Sequence, residues 1–177
     1  EGIQSTGVGA CVKHYALNNQ ERLRMVYNAV IDECTLREFY LKPFELIVKQ
    51  SKPKGMMTAY NRINGSYASE NHSLINILRN EWGYRGLIMT DWGANNHPID
   101  ALKAGLNLEM PHNPNTVKSV KRAIKTGAIN ESLIDERISE IIDFIIYANS
   151  KKPHVDDIDQ HLLAIKAAHE SMVLLKY

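Results

Sequence analysis

Two short apolar segments with a helical pattern between them constrain the fold of this chain more than any other feature. They cover residues 56–60 and 87–90, and each leads directly into polar or aromatic residues. The pattern between them spans residues 69–82 and is closed by glycines. A strand, a crossover helix and a second strand form the βαβ unit of a parallel sheet. The sequence therefore predicts an α/β fold.

Three polar or aromatic residues stand where these predicted strands end. Tyr60 closes the first strand, and Asp91 and Trp92 follow the second. In parallel α/β folds the chemistry lies at the carboxyl ends of the strands, where loops begin. A carboxylate beside an indole at this edge is suited to binding and attacking a polar ring.

The same alternation of strand and helix extends along the chain. Residues 7–14 predict a first strand that ends in Lys13 and His14, and a fourth strand-like run covers residues 106–110. A complete eight-stranded barrel needs about 250 residues, whereas this chain has 177. We therefore expect a partial (β/α)8 TIM-like barrel of about four βα units, followed by C-terminal helices.

Other segments predict helices or core positions. Residues 22–49 are expected to be rich in helix, with a break near Pro43, and residues 98–104, 115–126 and 160–170 are further helical candidates. Isoleucines at three- and four-residue spacing predict one buried helix face: Ile134, Ile138, Ile141 and Ile145. Cys11 lies in an apolar run and is expected in the core.

Composition excludes several classes of function. The chain has 21 basic and 20 acidic residues, for a net charge of +1, which predicts no binding to nucleic acid or to a membrane surface. No apolar stretch approaches the roughly 20 residues that span a bilayer. The histidines lack metal-ligand spacing and no glycine-rich phosphate loop is present, so we expect no metal and no cofactor. Two cysteines favour a reducing, cytoplasmic location only slightly.

Three ordered motifs resemble one enzyme family. Residues 61–65 read N-R-I-N-G, residues 78–87 read L-R-N-E-W-G-Y-R-G-L, and residues 90–94 read T-D-W-G-A. They resemble glycoside hydrolase family 3, which contains the β-glucosidases and whose motifs read S-Y-N-x-x-N-G, L-R-x-x-W-G-[FY]-x-G and S-D-W. A lone Asp-Trp pair means little, but the ordered set is specific.

The resemblance also implies a domain organisation. Residues 102–111 resemble the A-G-x-D-L-E-M-P of the family, with Asn107 in place of the aspartate, which bears on hydrogen bonding at the barrel mouth. The end of the chain resembles the E-S-x-V-L-L-K-N that opens the second, sandwich domain. Residues 1–150 are thus expected to be the C-terminal half of a TIM-like barrel domain. Residues 151–177 would be a linker and the start of the sandwich domain.

The resemblance assigns roles to individual residues. Asp91 matches the catalytic nucleophile of a retaining glycosidase. The implied substrate-binding residues are Lys13, His14, Met57, Tyr60 and Trp92. Without the resemblance, all of these except Tyr60 also have a structural interpretation: a helix cap for Asp91, core for Met57 and Trp92, and a solvated strand end for Lys13 and His14.

The implied function is part of a retaining β-glucosidase-like hydrolase that acts on terminal β-D-glucosyl residues of β-glucosides or oligosaccharides. The P-G-H-G loop of the β-N-acetylhexosaminidases is absent after His14, and Trp92 stands where β-xylosidase-like members often carry cysteine. Because the acid/base of the family comes from the second domain, we expect the isolated chain to be inactive. The alternative is a non-catalytic half-barrel that self-associates or pairs with a complementary chain through exposed sheet edges.

Overall fold

The computed structural model describes residues 1–150 and 159–176, and it has an α/β fold with a parallel sheet. The main sheet has the order β1-β3-β6, and a small second sheet has the order β2-β4-β5. The strands are β1 Cys11–Tyr15, β2 Asn28–Ala29, β3 Gly55–Thr58, β4 Arg62–Ile63, β5 Ser66–Tyr67 and β6 Leu87–Thr90.

Helices connect the strands and follow them. The α-helices are α1 Gly2–Ser5, α2 Glu33–Thr35, α3 Lys42–Ser51, α4 His72–Asn76, α5 Pro98–Ala104, α6 Pro114–Lys125, α7 Glu131–Ser150 and α8 Gln160–Ser171. After α2 and α4 the chain continues as π-helical turns, at Leu36–Tyr40 and Ile77–Glu81. In the described ranges, no helix is both long and apolar enough to cross a membrane.

The two faces of the main sheet are covered to different extents. Side chains alternate between the faces of a strand, and Met56 and Ile88 are fully buried in the core with the helix residues Leu74 and Leu78. On the other face, here termed the open face, Leu87 is buried. Met57 and Met89, which pair across β3 and β6, are only partly buried, so the open face is incompletely covered toward the carboxyl ends of the strands.

Two predictions about the main sheet are wrong. Cys11, expected in the core, is exposed, because it lies on β1 at the edge of the sheet. The run at residues 106–110 forms a single parallel bridge, Met89 to Leu108, rather than a fourth strand. It still lies beside β6, since the Thr90 amide donates to the Leu108 carbonyl at 3.0 Å.

The segment at residues 22–49 contains less helix than the sequence predicts. Helix begins only at Glu33, after the Asp32 carboxylate accepts from the Thr35 amide. Ahead of it, β2 pairs in parallel with β4. The β4–β5 hairpin turns through Asn64 (φ 49°) and Gly65 (φ 97°), the Asn-Gly pair that two-residue hairpin loops favour. The expected break near Pro43 is confirmed, since α3 begins beside it.

The predicted isoleucine face of α7 is wrong for two of its four members. Ile138 and Ile145 are 46% and 50% exposed, whereas Ile134 and Ile141 are partly buried. These two share the inward face with Arg137, which is buried, and with Phe144, which is partly buried. Helical spacing therefore indicated an amphipathic helix but placed its apolar stripe partly outside the face that contacts the rest of the fold.

Asn107 organises a polar cluster beneath the start of β6. Its Oδ1 accepts from the Ile88 amide and from Arg79, both at 2.8 Å. Its Nδ2 donates to Glu140, whose carboxylate also pairs with Arg137 at 2.9 Å. Asn107 therefore acts at the amino end of β6, and the expected effect on hydrogen bonding at the barrel mouth does not follow.

Asn107→Ala is expected to destabilise the fold by about 1–3 kcal/mol, because it removes the acceptor of the Ile88 amide and of Arg79 and one donor to the Glu140 carboxylate. Asn107→Asp keeps the acceptor and should cost less. The free energy of unfolding in urea, compared with that of the exposed control Asn115→Ala, measures both. Stability of Asn107→Ala within about 0.5 kcal/mol of the native value would contradict this role for Asn107.

Candidate active site

The carboxyl ends of the three parallel strands meet at one edge of the main sheet. β3 and β6 pair in register through Thr58 and Thr90. Beyond the strands the ladder continues, since the Asp91 amide donates to the Thr58 carbonyl at 3.3 Å and the Ala59 amide donates to the Tyr15 carbonyl at 2.8 Å. The residues that follow β1, β3 and β6 are thereby brought to the same edge.

Asp91 lies against His14 at this edge. Its Oδ2 is 3.2 Å from His14 Nε2, and its side chain is 15% exposed. The other oxygen, Oδ1, accepts from the Trp92 amide at 2.6 Å. His14 lies where the β1–β3 register shifts, between Val12 and Tyr15. The carboxylate is thus oriented by two contacts while part of it stays open to a ligand.

Tyr60 is the third residue of the cluster. It is buried, and its hydroxyl donates to the Trp92 carbonyl at 2.9 Å. Burial raises the pKa of the Tyr60 hydroxyl, and the negative charge of Asp91 raises it further. The Tyr60 proton goes to the Trp92 carbonyl, and the phenol oxygen can still accept a hydrogen bond from a polar ligand at neutral pH.

Arg24 is a site residue that the sequence analysis missed. Its guanidinium carbon lies 4.7 Å from the centroid of the Tyr60 ring, within cation–π range. The charge of Arg24 lowers the pKa of Tyr60, opposing Asp91. Residues 22–49 were expected to be mainly helical, so the pattern gave no reason to place Arg24 over a residue that follows β3.

The remaining predicted residues are less closely joined. Trp92 presents a side chain that is 62% exposed, which suits an open apolar surface. Met57 lies on the open face of the sheet and is partly buried. Lys13 is exposed, and among the described residues no ion pair joins it to Asp91. The structure therefore brings together Asp91, His14 and Tyr60.

One cavity formed by the described residues does not coincide with this cluster. It has a volume of about 650 Å³ and lies between the start of α4 and the segment around α2, lined by residues that include Arg37, Asn71 and Glu81. Among the described residues, no group of three His, Cys, Asp or Glu side chains could hold a metal ion. The chemistry available at the strand edge is that of a carboxylate, an imidazole, a phenol and a guanidinium.

Comparison with a family model identifies the relationship. The model of the glycosyl hydrolase family 3 N-terminal domain matches residues 1–144. The chain belongs to glycoside hydrolase family 3. The matched residues include all three motifs and all six predicted site residues, so the resemblance seen in the sequence is confirmed at the level of the family.

Named family 3 relatives agree with this assignment. The chain is 45% identical to the thermostable β-glucosidase B of Acetivibrio thermocellus, covering 99% of the chain and 24% of that enzyme. It is 42% identical to an exo-α-(1→6)-L-arabinopyranosidase of Bifidobacterium breve, again over 99% of the chain and 24% of the relative. The chain therefore spans about a quarter of the length of these curated relatives.

Solved structures of family 3 enzymes share the fold. A β-glucosidase of Bifidobacterium adolescentis superposes with a TM-score of 0.84 at 41% identity, covering 99% of the chain and 27% of that structure. β-Glucosidase 3B of Thermotoga neapolitana, solved with glucose, gives 0.80 at 39% identity, covering 96% of the chain and 25% of that structure.

Two substitutions test the electrostatics of the cluster. Asp91→Asn is expected to lower the pKa of Tyr60, because a nearby negative charge is removed, and Arg24→Gln is expected to raise it. Tyrosine ring ¹³C resonances followed against pH report both changes. Tyr84 is the control, since its pKa is raised by burial away from Asp91. A Tyr60 titration unchanged by both substitutions would contradict the geometry.

Proposed function

We propose that this chain carries the nucleophile half of the active site of a retaining β-glucosidase-like glycoside hydrolase, which hydrolyses terminal β-D-glucosyl residues. The observation that supports this most directly is the Asp91 carboxylate, oriented by His14 and the Trp92 amide at the carboxyl edge of the sheet.

In the proposed reaction, Asp91 attacks the anomeric carbon and forms a glycosyl ester while the aglycone leaves with a proton from an acid. Water then cleaves the ester, with the same acid residue acting as base. A nucleophile for this step must be ionised, exposed and fixed. The partial exposure of Asp91 and its two contacts meet the last two requirements.

We assign binding of the sugar to the residues around Asp91. Tyr60 and His14 offer hydrogen bonds beside the nucleophile, and the exposed indole of Trp92 offers a flat face to the sugar ring. Lys13 and Met57 complete the proposed pocket, in line with the family motifs. Arg24, stacked on Tyr60, adds a cation to this side of the site. No cofactor is proposed.

The proposed architecture is the second half of a (β/α)8 barrel. Residues 1–150 would form the barrel half, and residues 151–177 the linker and the start of a sandwich domain. Of residues 151–177, those at 151–158 and 177 lie outside the described residues. The open sheet face at Met57 and Met89 and the edge position of β1 support a barrel wall completed by further strands.

A β-glucoside is proposed as the substrate, although relatives differ in what their names describe. β-Glucosidases and arabinopyranosidases are both more than 40% identical to this chain. The choice of glucose rests on the residues after His14 and on Trp92, which depart from the hexosaminidase and xylosidase patterns.

A chimera tests the proposed function. Residues 1–176 would replace the matching quarter of the thermostable β-glucosidase B of Acetivibrio thermocellus, and hydrolysis of a nitrophenyl β-glucoside would be measured. We expect an active chimera, and we expect Asp91→Ala in it to lose on the order of 10⁴-fold in kcat, the scale of losing one member of a catalytic group. A folded chimera that retains activity with Asp91→Ala would refute the assignment.

The isolated chain is expected to have negligible activity, because the acid and much of the sugar pocket would lie in other parts of the enzyme. The measurement is hydrolysis of the nitrophenyl β-glucoside by the purified chain, with Asp91→Ala as the control. Turnover that disappears in Asp91→Ala would overturn this expectation while supporting Asp91 as the nucleophile.

A non-catalytic role through association is the second candidate. It is favoured by apolar side chains left in solvent near the sheet and on its helices. Val30 is 83% exposed, Phe39 is 70% exposed and Ile146 is 61% exposed. Exposed apolar patches of this kind and unpaired strand edges promote pairing of chains.

Self-association predicts a concentration-dependent mass. Size-exclusion chromatography with light scattering, over a wide range of concentrations, should show dimers or larger species if the exposed edge of β1 and the apolar side chains pair. Lys substitution of Val30 and Phe39 should reduce the association, while Lys substitution of the polar Asn80 serves as the control. A monodisperse monomer at every concentration would eliminate this second candidate.

A further inference from the structure

Two adjacent residues of the β5–α4 loop hold the segment that follows the proposed nucleophile. The Ser69 hydroxyl donates to the Ala94 carbonyl at 2.8 Å, and both residues are buried. Next to Ser69, both carboxylate oxygens of Glu70 lie 2.8 Å from His97 Nδ1. Residues 91–97, here termed the nucleophile segment, are thus fixed to one loop at two points.

The β4–β5 hairpin extends this contact. The Tyr67 and His97 rings lie with centroids 6.2 Å apart, and the Arg62 guanidinium lies 5.5 Å above the Tyr67 ring. Arg62 also donates to the Val26 carbonyl at 2.8 Å. The hairpin therefore contacts both the nucleophile segment and the segment that carries Arg24.

We propose that Glu70 and His97 are positioning residues of the site: their ion pair docks the nucleophile segment on the β5–α4 loop and so sets the position of Trp92. The side chain of Trp92 is largely exposed, so its position depends on how its backbone is held. The Trp92 carbonyl also receives the Tyr60 hydrogen bond. Displacing the segment would therefore disturb both residues.

The burial of Glu70 explains why its pairing with His97 stabilises the position of the segment. The Glu70 side chain is only 10% exposed, whereas that of His97 is 61% exposed. A nearly buried carboxylate requires a partner, and the imidazole supplies it from the solvent side. The Ser69 hydrogen bond fixes the middle of the nucleophile segment, and the ion pair fixes its far end at the start of α5.

The stabilisation from the Glu70–His97 pair is expected to decrease as pH rises. The hydrogen bond and charge of Glu70 raise the pKa of His97, and Asp100 adds to this effect. The stabilisation is therefore fully present below the ordinary histidine pKa of about 6.5. It is lost as pH rises through the higher value reached in the folded chain. Tyr67 faces the His97 ring from the β4–β5 hairpin, and Arg62 lies over the Tyr67 ring.

NMR of the chain tests the proposal without substrate. In the native protein, backbone order parameters of residues 93–96 should be near 0.85 at low pH and should fall at pH about 9. His97→Gln should bring them toward 0.6 at both pH values, and His97→Arg, with its permanent charge, should keep them high at both. The Trp92 indole resonance, assigned with Trp92→Phe, should follow the same pattern.

The exposed His169→Gln in α8 is the matched control and should behave as the native protein. The proposal is overturned if residues 93–96 stay equally ordered in His97→Gln, or if His97→Arg loses order with rising pH as the native protein does. Should His97→Gln fail to fold, the native pH series and His97→Arg decide the question. The proposal rests on the proposed function only in naming Asp91 the nucleophile. The chimera can be inactive while Glu70 and His97 still hold the segment, and the chimera can be active without that contact.

Discussion

The parallel, in-register pairing of β3 with β6 is the constraint on which the rest of the site depends. Met57 pairs with Met89 and Thr58 with Thr90, so the two strands end at the same height. A slip of one residue would turn every side chain to the opposite face. It would also move Asp91 out of reach of the residues that follow β3 and β1.

Buried threonines reinforce this edge. Thr58 and Thr90 are fully buried, and their hydroxyls contact backbone atoms of the neighbouring strand or of the run beside β6. The Thr90 hydroxyl also accepts from the Met110 amide at 2.9 Å. Beyond it, Gly93 adopts a positive φ of 82° and its amide donates to the Met110 carbonyl at 2.7 Å. The chain can therefore turn directly after Trp92, at a conformation that favours glycine.

Local signals made much of the fold predictable. β6 and α5 have the bounds that the sequence predicts. An apolar run marks β6, and a proline at the start and a glycine after the end mark α5, so both signals lie within a few residues of the chain. The positions of Tyr60 and Asp91 at one edge follow from the βαβ pattern alone. Membership of glycoside hydrolase family 3 was also visible in the ordered motifs, and the family model confirms it.

The predictions that failed depend on contacts between distant segments. The inward face of α7 combines Arg137 and Phe144 with Ile134 and Ile141 and leaves Ile138 and Ile145 exposed. Cys11 stands in an apolar run of the sequence, yet it lies on an edge strand. Arg24 lies in the turn that leads into β2, and a two-residue strand such as β2 carries no periodicity that a sequence pattern can reveal.

The open face of the main sheet links the fold to the proposed function. Met57 and Met89 are incompletely covered, and the proposed sugar pocket lies at the end of that same face. If further strands of a longer enzyme cover this face, they would also close the pocket around Asp91. The same surface explains why association of chains is the natural alternative.

Trapping the glycosyl ester would identify the nucleophile. The active chimera would be treated with a 2-deoxy-2-fluoro-β-glucoside bearing a good leaving group, and the labelled peptide would be mapped by mass spectrometry. We expect one glycosyl group, on Asp91. A glycosyl group on another carboxylate, with Asp91 unmodified, would contradict this assignment.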